Sequence, residues 1–283
     1  IRDRLNKVGP GFCTMKWLHQ TLYLHTGDNH SCYHPRPHHI PLDEIKIDAS
    51  ALHNTKWKKQ QRKEMLEGGR PDECYYCWNI EDLNKDYFSD RHYKSADYWA
   101  WDRFEEISSL DPDIDVYPSY LEVSFSHGCN FNCMYCSPQV SSKWVEDIQK
   151  NGSYDLGDFK HNDLSYLQKN NLIPILEREH NPYVDAFWEW WPTLYPELEH
   201  FRMTGGEPML DKNTYRVFDY VLANPKPDLH LNVTSNFSVD EKSWQKYKDY
   251  LKELCQEGIL EHFMQYVSLD GWGAQAEYMR HGL

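Results

Sequence analysis

Three cysteines, Cys129, Cys133 and Cys136, lie within eight residues and are separated by three and then by two residues. Thiolates are the ligands that iron–sulfur clusters prefer, and three of them in one loop can bind a single cubane. With only three protein ligands, one iron stays open for a small molecule, much as a catalytic zinc keeps an open position. The alternative is a structural zinc site, for which His127 is the local candidate as fourth ligand. The spacing favours the cluster.

The flanks of this loop sharpen the interpretation. Residues 121–126 form a short β-rich alternating run, so the cysteine loop is expected to leave the carboxyl end of a strand, where α/β folds place their chemistry. Farther on, residues 203–208 read Met-Thr-Gly-Gly-Glu-Pro. The two motifs, in this order, resemble those of the radical S-adenosylmethionine (radical SAM) superfamily, in which an aromatic residue, here Tyr135, precedes the last cysteine.

This resemblance implies a [4Fe–4S] cluster held by the three cysteines, with its fourth iron chelating the amino acid part of SAM. By the same resemblance, Gly205, Gly206 and Glu207 bind the SAM amino group, Ser268 and Asp270 lie in a ribose-contacting segment, and Arg280 can clamp the carboxylate. Thr234, Ser235 and Asn236 lie at the end of a predicted strand and offer hydroxyl and amide groups for the carboxylate or ribose. Ordinary turn chemistry is the alternative for Ser235, Ser268 and Arg280.

A second set of four cysteines comprises Cys13, Cys32, Cys74 and Cys77. Residues 22–29 predict a strand and a tight turn at Gly27, and such a hairpin brings the second cysteine back beside the first. One interpretation is a four-thiolate zinc site. The other is an auxiliary [4Fe–4S] cluster, because the spacing resembles the twitch and SPASM domains of many radical SAM enzymes. Those domains usually follow the core, however, and here the module precedes it.

Alternating strand and helix patterns predict an α/β fold with a parallel sheet and right-handed crossovers. The strands are expected near residues 121–126, 199–203, 229–234 and 263–268. By resemblance, this is a partial (βα)6 TIM-like barrel with about four βα units in this chain. The chain begins without Met and ends soon after the fourth strand, so we expect a fragment truncated at its C-terminus, with two further strands beyond Leu283.

Three segments follow from these patterns. They are a small cysteine-rich α+β module of twitch/SPASM type at 1–90, a connector with a short helix at 91–118, and the radical SAM core at 119–283. Within the core, the aromatic stretch 187–195 predicts core packing, with a substrate pocket as the alternative. The polar stretch 151–162 predicts a mobile lid or an insertion.

Several local features carry further expectations. A capping box of Ser238 and Glu241 predicts the start of a helix that stops at Gly258, and its apolar face makes Cys255 a buried structural thiol. A predicted helix before Cys74 has a basic face that we expect to be solvated, formed by Lys56, Lys58, Lys59, Arg62 and Lys63. Five histidines are expected to be surface or turn residues: His25, His30, His34, His38 and His39.

Composition limits the possible partners. The 30 basic and 44 acidic residues give a net charge of −14, which argues against a general nucleic-acid binder because such proteins normally carry a basic surface. No apolar run approaches the ~20 residues needed to span a bilayer. The chain shows no signal peptide, and its cysteines cluster at metal-ligand spacing, so a reducing cytoplasm is the expected compartment.

The resemblance implies reductive cleavage of SAM to a 5′-deoxyadenosyl radical, which abstracts a hydrogen atom from the substrate. A reductant such as flavodoxin or ferredoxin would supply the electron. Twitch and SPASM proteins often modify peptides, so peptide or protein modification is the first expectation. A small-molecule or nucleotide-derived substrate is the alternative within the enzymes. A non-catalytic, zinc-stabilised binding module is the alternative from another class, and the presence of Glu207 beside the three-cysteine motif argues against it.

Overall fold

The computed structural model describes residues 1–283 except 156, 158, 159, 161 and 171. The strands of the described part are β1 (His19–Tyr23), β2 (Asp28–His30), β3 (His38–His39), β4 (Tyr120–Ser124), β5 (Asn132–Cys133), β6 (His200–Thr204), β7 (His230–Ser235), β8 (His262–Val267) and β9 (Arg280–His281). Its α-helices are α1 (Arg2–Val8), α2 (Met15–Leu18), α3 (Leu42–Ile47), α4 (Lys56–Leu66), α5 (Tyr75–Leu83), α6 (Asp90–Lys94), α7 (Tyr98–Trp101), α8 (Phe104–Ser108), α9 (Ser142–Asn151), α10 (Leu164–Lys169), α11 (Pro182–Leu194), α12 (Lys212–Ala223), α13 (Glu241–Leu254) and α14 (Gly273–Met279).

The fold is mixed α/β. A seven-stranded sheet has the order β3-β2-β1-β4-β6-β7-β8, and β5 pairs with β9 in a separate two-stranded sheet. β7 and β8 are parallel, with His230 opposite His262 and Ser235 opposite Val267, whereas β2 and β3 are antiparallel. The alternating patterns therefore predicted β4, β6, β7 and β8 correctly, and helices separate these strands along the chain.

The chain divides into two compact units. Unit 1 comprises 1–22, 27–122 and 185–200, and unit 2 comprises 23–26, 123–184 and 201–283. In unit 1, a hydrophobic core joins residues from α1, α2 and α4 to residues from α7 and α8, namely Leu5, Phe12, Met15, Trp17, Leu18, Met65, Trp99, Ala100, Phe104, Ile107 and Val116. The segment 91–118 thus contributes to this core, and it contains most of α6 together with α7 and α8 where one short helix was expected.

Two of the basic residues on α4 are buried, contrary to the predicted solvated face. Lys58 and Arg62 have fully buried side chains. Nζ of Lys58 lies 2.8 Å from Nδ1 of His53 and donates to the side-chain oxygen of Gln20. The Arg62 guanidinium donates to the backbone oxygen of Lys16 at 3.2 Å and to Asn54 at 2.9 Å. The prediction was wrong for these two residues because α4 packs one basic face into polar acceptors.

Two of the five histidines expected at the surface or in turns are buried: His25 lies in a turn as expected, whereas the expectation was wrong for His30, which lies in a strand. His30 on β2 is 3% exposed and His25 is 1% exposed. Burial lowers the pKa of both imidazoles to about 4, since a charged ring loses its hydration there. In unit 2, Nδ1 of His25 lies 3.1 Å from the Ser124 hydroxyl, which replaces part of that hydration.

The aromatic stretch within 187–195 packs as predicted. Phe187, Trp190, Trp191, Leu194 and Tyr195 are all at most 4% exposed, and the rings of Phe187 and Trp191 stack with centroids 5.1 Å apart. The lid predicted at 151–162 lies partly outside the described residues. Among the described residues, no helix combines the length and apolar character needed to cross a membrane.

The start and end of α13 differ from the prediction. Asp240 is the N-cap, and its carboxylate accepts hydrogen bonds from the backbone N–H groups of Lys242 and Ser243, both at 3.0 Å. The capping box of Ser238 and Glu241 was therefore wrong. The helix ends at Leu254. Cys255 is the next residue, no longer continues the apolar face of the helix, and is exposed. The expectation of a buried Cys255 was wrong for that reason.

Candidate active site

The cysteine loop of unit 2 follows β4 and is fixed to the end of the described chain. β5 and β9 pair antiparallel with Cys133 opposite Arg280, and the backbone N–H of Met134 donates to the Met279 oxygen at 2.9 Å. Within the loop, the Cys136 N–H donates to the Cys133 oxygen at 2.9 Å. The three thiols therefore lie on a loop whose short strand β5 is paired along its whole length with β9.

The start of α9 supports the other side of this loop. The Ser142 hydroxyl accepts from the Cys129 N–H at 3.1 Å and lies 3.2 Å from the Cys129 oxygen. The Trp144 indole donates to the Cys133 oxygen at 2.9 Å, and the Ser141 hydroxyl donates to the Phe131 oxygen at 2.6 Å. Sequence reasoning missed these contacts. The signal available was the pair of serines that opens the helix directly after the motif.

A cavity of about 200 Å³ brings most of the predicted site residues together. It is lined by Cys129, Phe131, Cys133, Tyr135, Cys136, Val140, Thr204, Gly205, Gly206, Thr234, Ser235, Asn236, Ser268 and Arg280. Two of these residues, Phe131 and Val140, were not anticipated, whereas Thr204 belongs to the predicted second motif and Thr234 ends the strand predicted near 229–234. Two predicted residues, Glu207 and Asp270, are not in the lining but hydrogen-bond to residues that are.

The glycine loop after β6 lies directly on the start of the cysteine loop. The Gly206 N–H donates to the Ser126 oxygen at 3.2 Å, and the Glu207 N–H donates to the Gly128 oxygen at 2.7 Å. Gly205 has a φ of 117°, a conformation that favours glycine. The resemblance assigns these glycines to the SAM amino group, and in the structure they also allow the two loops to touch.

Glu207 is buried beneath the cavity, 2% exposed. One of its oxygens accepts from the Ser235 hydroxyl at 2.6 Å and from the Met209 N–H at 3.0 Å, and the other accepts from the Asn236 N–H at 2.7 Å. Burial raises the pKa of this carboxyl above its usual 4.5, and the three hydrogen bonds offset only part of that effect. The result is a fixed, desolvated acceptor with one lone-pair direction still unused.

Asp270 joins Tyr135 to Arg280. One carboxylate oxygen of Asp270 accepts a hydrogen bond from the Tyr135 hydroxyl at 2.6 Å and lies 2.6 Å from Nε of Arg280 in an ion pair. The Tyr135 hydrogen bond, with the nearby guanidinium, lowers the pKa of Asp270. Burial raises the pKa of Tyr135, and its bond to Asp270 adds to this rise. The ribose and carboxylate contacts expected of Asp270 and Arg280 stay predictions.

The donor set of this cavity fits an iron–sulfur cluster with one open iron, because its lining carries three thiols from a single loop. Burial raises the pKa of Cys129 and of Cys136, so binding of iron must displace protons from them. Among the described residues, no three His, Cys, Asp or Glu side chains are arranged to hold a single metal ion.

The four cysteines of unit 1 line a second, smaller cavity of about 20 Å³, with Cys13, Cys32, Cys74 and Cys77 among its lining residues. The hairpin expectation for the first two is consistent with this placement. Burial raises the pKa of Cys13 to about 12 and those of Cys32 and Cys74 to about 11. Buried ion pairs lie close by, Lys16 with Glu73 and Arg91 with Glu81. Such cations suit an anionic metal–thiolate group.

The chain is similar to several curated GTP 3′,8-cyclases. It is 27% identical to that of Campylobacter jejuni subsp. doylei over 141 residues, which cover 50% of this chain and 32% of the cyclase. The match to the Sulfurimonas denitrificans cyclase is 27% over 147 residues, or 50% and 34% of the two chains, and that to the Sulfurovum sp. cyclase is 28% over 130 residues, or 46% and 30%. The match thus spans about a third of each relative's length. No protein-family model matches the chain, and no solved structure gives a significant match.

A three-thiol loop at the carboxyl end of a strand in an α/β sheet, with a Gly-Gly-Glu loop beside it, defines a class of iron–sulfur proteins that bind SAM. The similar cyclases are enzymes of this class. The similarity of this chain to these cyclases, over about half of its length, supports the resemblance to the radical SAM superfamily. Members of this superfamily use SAM and a [4Fe–4S] cluster.

Proposed function

We propose that this protein cleaves SAM reductively and uses the resulting 5′-deoxyadenosyl radical to abstract hydrogen from a small-molecule or nucleotide-derived substrate. The observation that carries the proposal is the single cavity that unites the thiols of Cys129, Cys133 and Cys136 with the Gly205–Gly206 loop. A [4Fe–4S] cluster supplies the electron and the SAM-chelating iron when it is bound there. The protein supplies ligands, orientation and exclusion of water.

The residues around the cavity divide these tasks. The buried Glu207 carboxylate, held by Ser235 and Asn236, accepts the SAM amino group through its unused lone pair. Ser268 donates its backbone N–H to the Ser235 oxygen at 2.9 Å, which fixes its side chain at the cavity wall for the ribose. Tyr135, 56% exposed at the mouth of the cavity, covers SAM from the solvent side.

We infer that β4, β6, β7 and β8 are strands of a TIM-like (βα) barrel. They are consecutive neighbours in the sheet in the same order as in the chain, which is the arrangement that barrel strands have. The cavity lies where the loops after these strands meet, since it is lined by residues that follow β4 and by residues at or after the ends of β6, β7 and β8.

The substrate class rests on a charged residue beside the cavity. Thr234 lines the cavity, and its hydroxyl accepts from the Arg202 guanidinium at 3.0 and 3.2 Å. The same guanidinium lies 5.0 Å from the ring centre of Tyr266. A cation and an exposed aromatic ring together suit a ligand with an anionic group and a flat base. The similarity to GTP cyclases favours the same class, and it gives no support to the peptide substrate that we first expected.

The four-cysteine cavity of unit 1 is proposed to hold an auxiliary [4Fe–4S] cluster of twitch/SPASM type, with structural zinc as the alternative. The support is that Cys13, Cys32, Cys74 and Cys77 line one cavity in a chain that resembles a superfamily in which such clusters occur. A small reductant protein such as flavodoxin or ferredoxin is the proposed electron donor.

Metal analysis separates these possibilities. We expect about eight iron and eight acid-labile sulfide per chain in anaerobically reconstituted protein, the content of two cubanes. About four iron with one zinc would keep the SAM site and assign zinc to unit 1. Iron-free protein rich in zinc would contradict the radical mechanism and support the non-catalytic binding module.

The substrate class is tested by comparing GTP with guanosine as probes of the reconstituted protein. We expect GTP to bind more tightly, and Arg202→Met to weaken GTP binding roughly 10- to 100-fold, the worth of a hydrogen-bonded charge pair. Arg178→Met is the matched control, because Arg178 is an exposed arginine of the same unit. Equal affinity for GTP in wild type and Arg202→Met would contradict the assignment.

A further inference from the structure

The side chain of Arg280, on strand β9, contacts Cys133, a proposed ligand of the cluster. Cys133 and Arg280 are directly opposite in the β5–β9 pair, and opposed residues of an antiparallel pair project from the same face. Nη1 of Arg280 lies 4.0 Å from Sγ of Cys133. Both residues are buried, at 7% and 6% exposure. The contact is therefore a long, shielded N–H to sulfur hydrogen bond from a cation.

Asp270 fixes this guanidinium from the other side. Its Oδ2 forms an ion pair with Nε of Arg280 at 2.6 Å and accepts a hydrogen bond from the Tyr135 hydroxyl at 2.6 Å. The Arg280 guanidinium also lies 5.6 Å from the ring centre of Tyr135. The side chains of Tyr135, Asp270 and Arg280 thus form one connected network. The Arg280 guanidinium is held by Asp270 at Nε and by Cys133 at Nη1.

We propose that Arg280, anchored by Asp270, donates a hydrogen bond to the Cys133 sulfur and stabilises the reduced state of the cluster bound there. Hydrogen bonds and positive charge at a thiolate ligand favour the more negative oxidation state, and they raise the reduction potential. The inference rests on the proposed function. It is compatible with a clamp on the SAM carboxylate, because a guanidinium has five N–H donors and these two contacts use one each.

The role of Asp270 can be recognised from the direction in which Asp270→Asn shifts the reduction potential of the cluster. Removing a negative charge near a cluster raises its reduction potential when nothing else changes. If Asp270 acts chiefly by holding Arg280, Asp270→Asn instead releases the guanidinium from Cys133 and lowers the potential. The two effects have opposite directions, so the measured shift distinguishes a positioning residue from a mere neighbouring charge.

The experiment is a redox titration, followed by electron paramagnetic resonance, of the cluster whose signal changes when SAM is added. We expect a more negative potential in Arg280→Gln, a potential near that of wild type in Arg280→Lys, and a more negative potential in Asp270→Asn. In the Arg280→Gln background, Asp270→Asn should raise the potential, since no guanidinium is left to hold.

An unchanged potential in Arg280→Gln would overturn the proposal, and a raised potential in Asp270→Asn alone would overturn the anchoring by Asp270. Cleavage of SAM by the wild-type protein is measured in the same preparation. Wild type that cleaves SAM while Arg280→Gln keeps the wild-type potential refutes this inference alone, whereas wild type that binds no iron refutes the proposed function.

Discussion

Gly206 and Gly128 meet backbone to backbone, so that a Cβ atom on Gly206 would stand 2.1 Å from the Gly128 carbonyl oxygen. This contact joins the glycine loop after β6 to the cysteine loop after β4. The neighbouring atom belongs to backbone, which cannot swing aside as a side chain can. The relative position of the two motifs therefore depends on the missing side chain.

Gly206→Ala is predicted to destabilise unit 2 and to abolish SAM binding. Overpacking a close backbone contact costs about 1–3 kcal/mol in free energy of unfolding, and relief of the clash would separate the amino-group site from the cysteines. Denaturant unfolding and SAM affinity of the reconstituted protein measure both effects. Gly271→Ala is the matched control, since its added Cβ would meet nothing closer than 3.6 Å. A Gly206→Ala protein that binds SAM normally would contradict the contact.

The affinity for SAM is predicted to fall as the pH is lowered, over a pH range set by the pKa of Glu207. Burial raises the pKa of this carboxyl above 4.5, so it takes up a proton at a higher pH than an exposed glutamate does. Only the ionised form attracts the SAM ammonium group. The affinity should therefore begin to fall above pH 4.5 and should fall at most about tenfold per pH unit below the raised pKa.

Glu207→Gln is the control for this pH dependence. The amide keeps the size of the side chain and loses its titration, so SAM binding should be weaker and should no longer vary with pH in that range. Isothermal titration calorimetry with SAM between pH 5 and 8 makes the comparison. The same pH profile in both proteins would assign the titration to another group.

Lys58 is predicted to make stability depend on pH. Burial, together with the charges of Arg62 and Lys16, lowers the pKa of Lys58 well below its usual 10.5. The unfolded chain therefore binds a proton that the folded chain does not, in the window between the lowered pKa and 10.5. The free energy of unfolding should rise with pH there, by at most about 1.4 kcal/mol per unit.

Urea unfolding of the wild type and of Lys58→Met at pH 7, 8 and 9 tests this prediction. The rise with pH should be largely lost in Lys58→Met. It should persist in Lys56→Met, because Lys56 is an exposed lysine at the start of the same helix. An unchanged slope in the Lys58→Met protein would show that another group titrates.

The sequence predicted best the features that are encoded by local motifs. The spacing of Cys129, Cys133 and Cys136 and the Gly-Gly-Glu segment each fix a short loop, and both loops line one cavity. Strand alternation placed β6 and β7 because a half-buried strand has a period of two, whereas β4 is buried along most of its length and its β-rich composition is what marked it. These features require no knowledge of what lies elsewhere in the chain.

What sequence reasoning missed depends on contacts between distant segments. A run of basic residues on α4 does not reveal that Lys58 meets His53 and Gln20 in the interior. Likewise, nothing near Arg202 in sequence indicates its bond to Thr234 on the next strand of the sheet. Cys255 shows the limit of periodicity, because a pattern remains visible one residue after the helix has ended.

The most direct test of the account is SAM cleavage by the reduced, reconstituted protein, measured as 5′-deoxyadenosine formed per chain. We predict that wild type and Cys255→Ala form 5′-deoxyadenosine, because Cys255 is exposed and lies outside the cavity lining. Cys133→Ala should form none while keeping the metal bound by Cys13, Cys32, Cys74 and Cys77. Equal 5′-deoxyadenosine formation by Cys133→Ala, or none by iron-loaded wild type, would contradict the central claim.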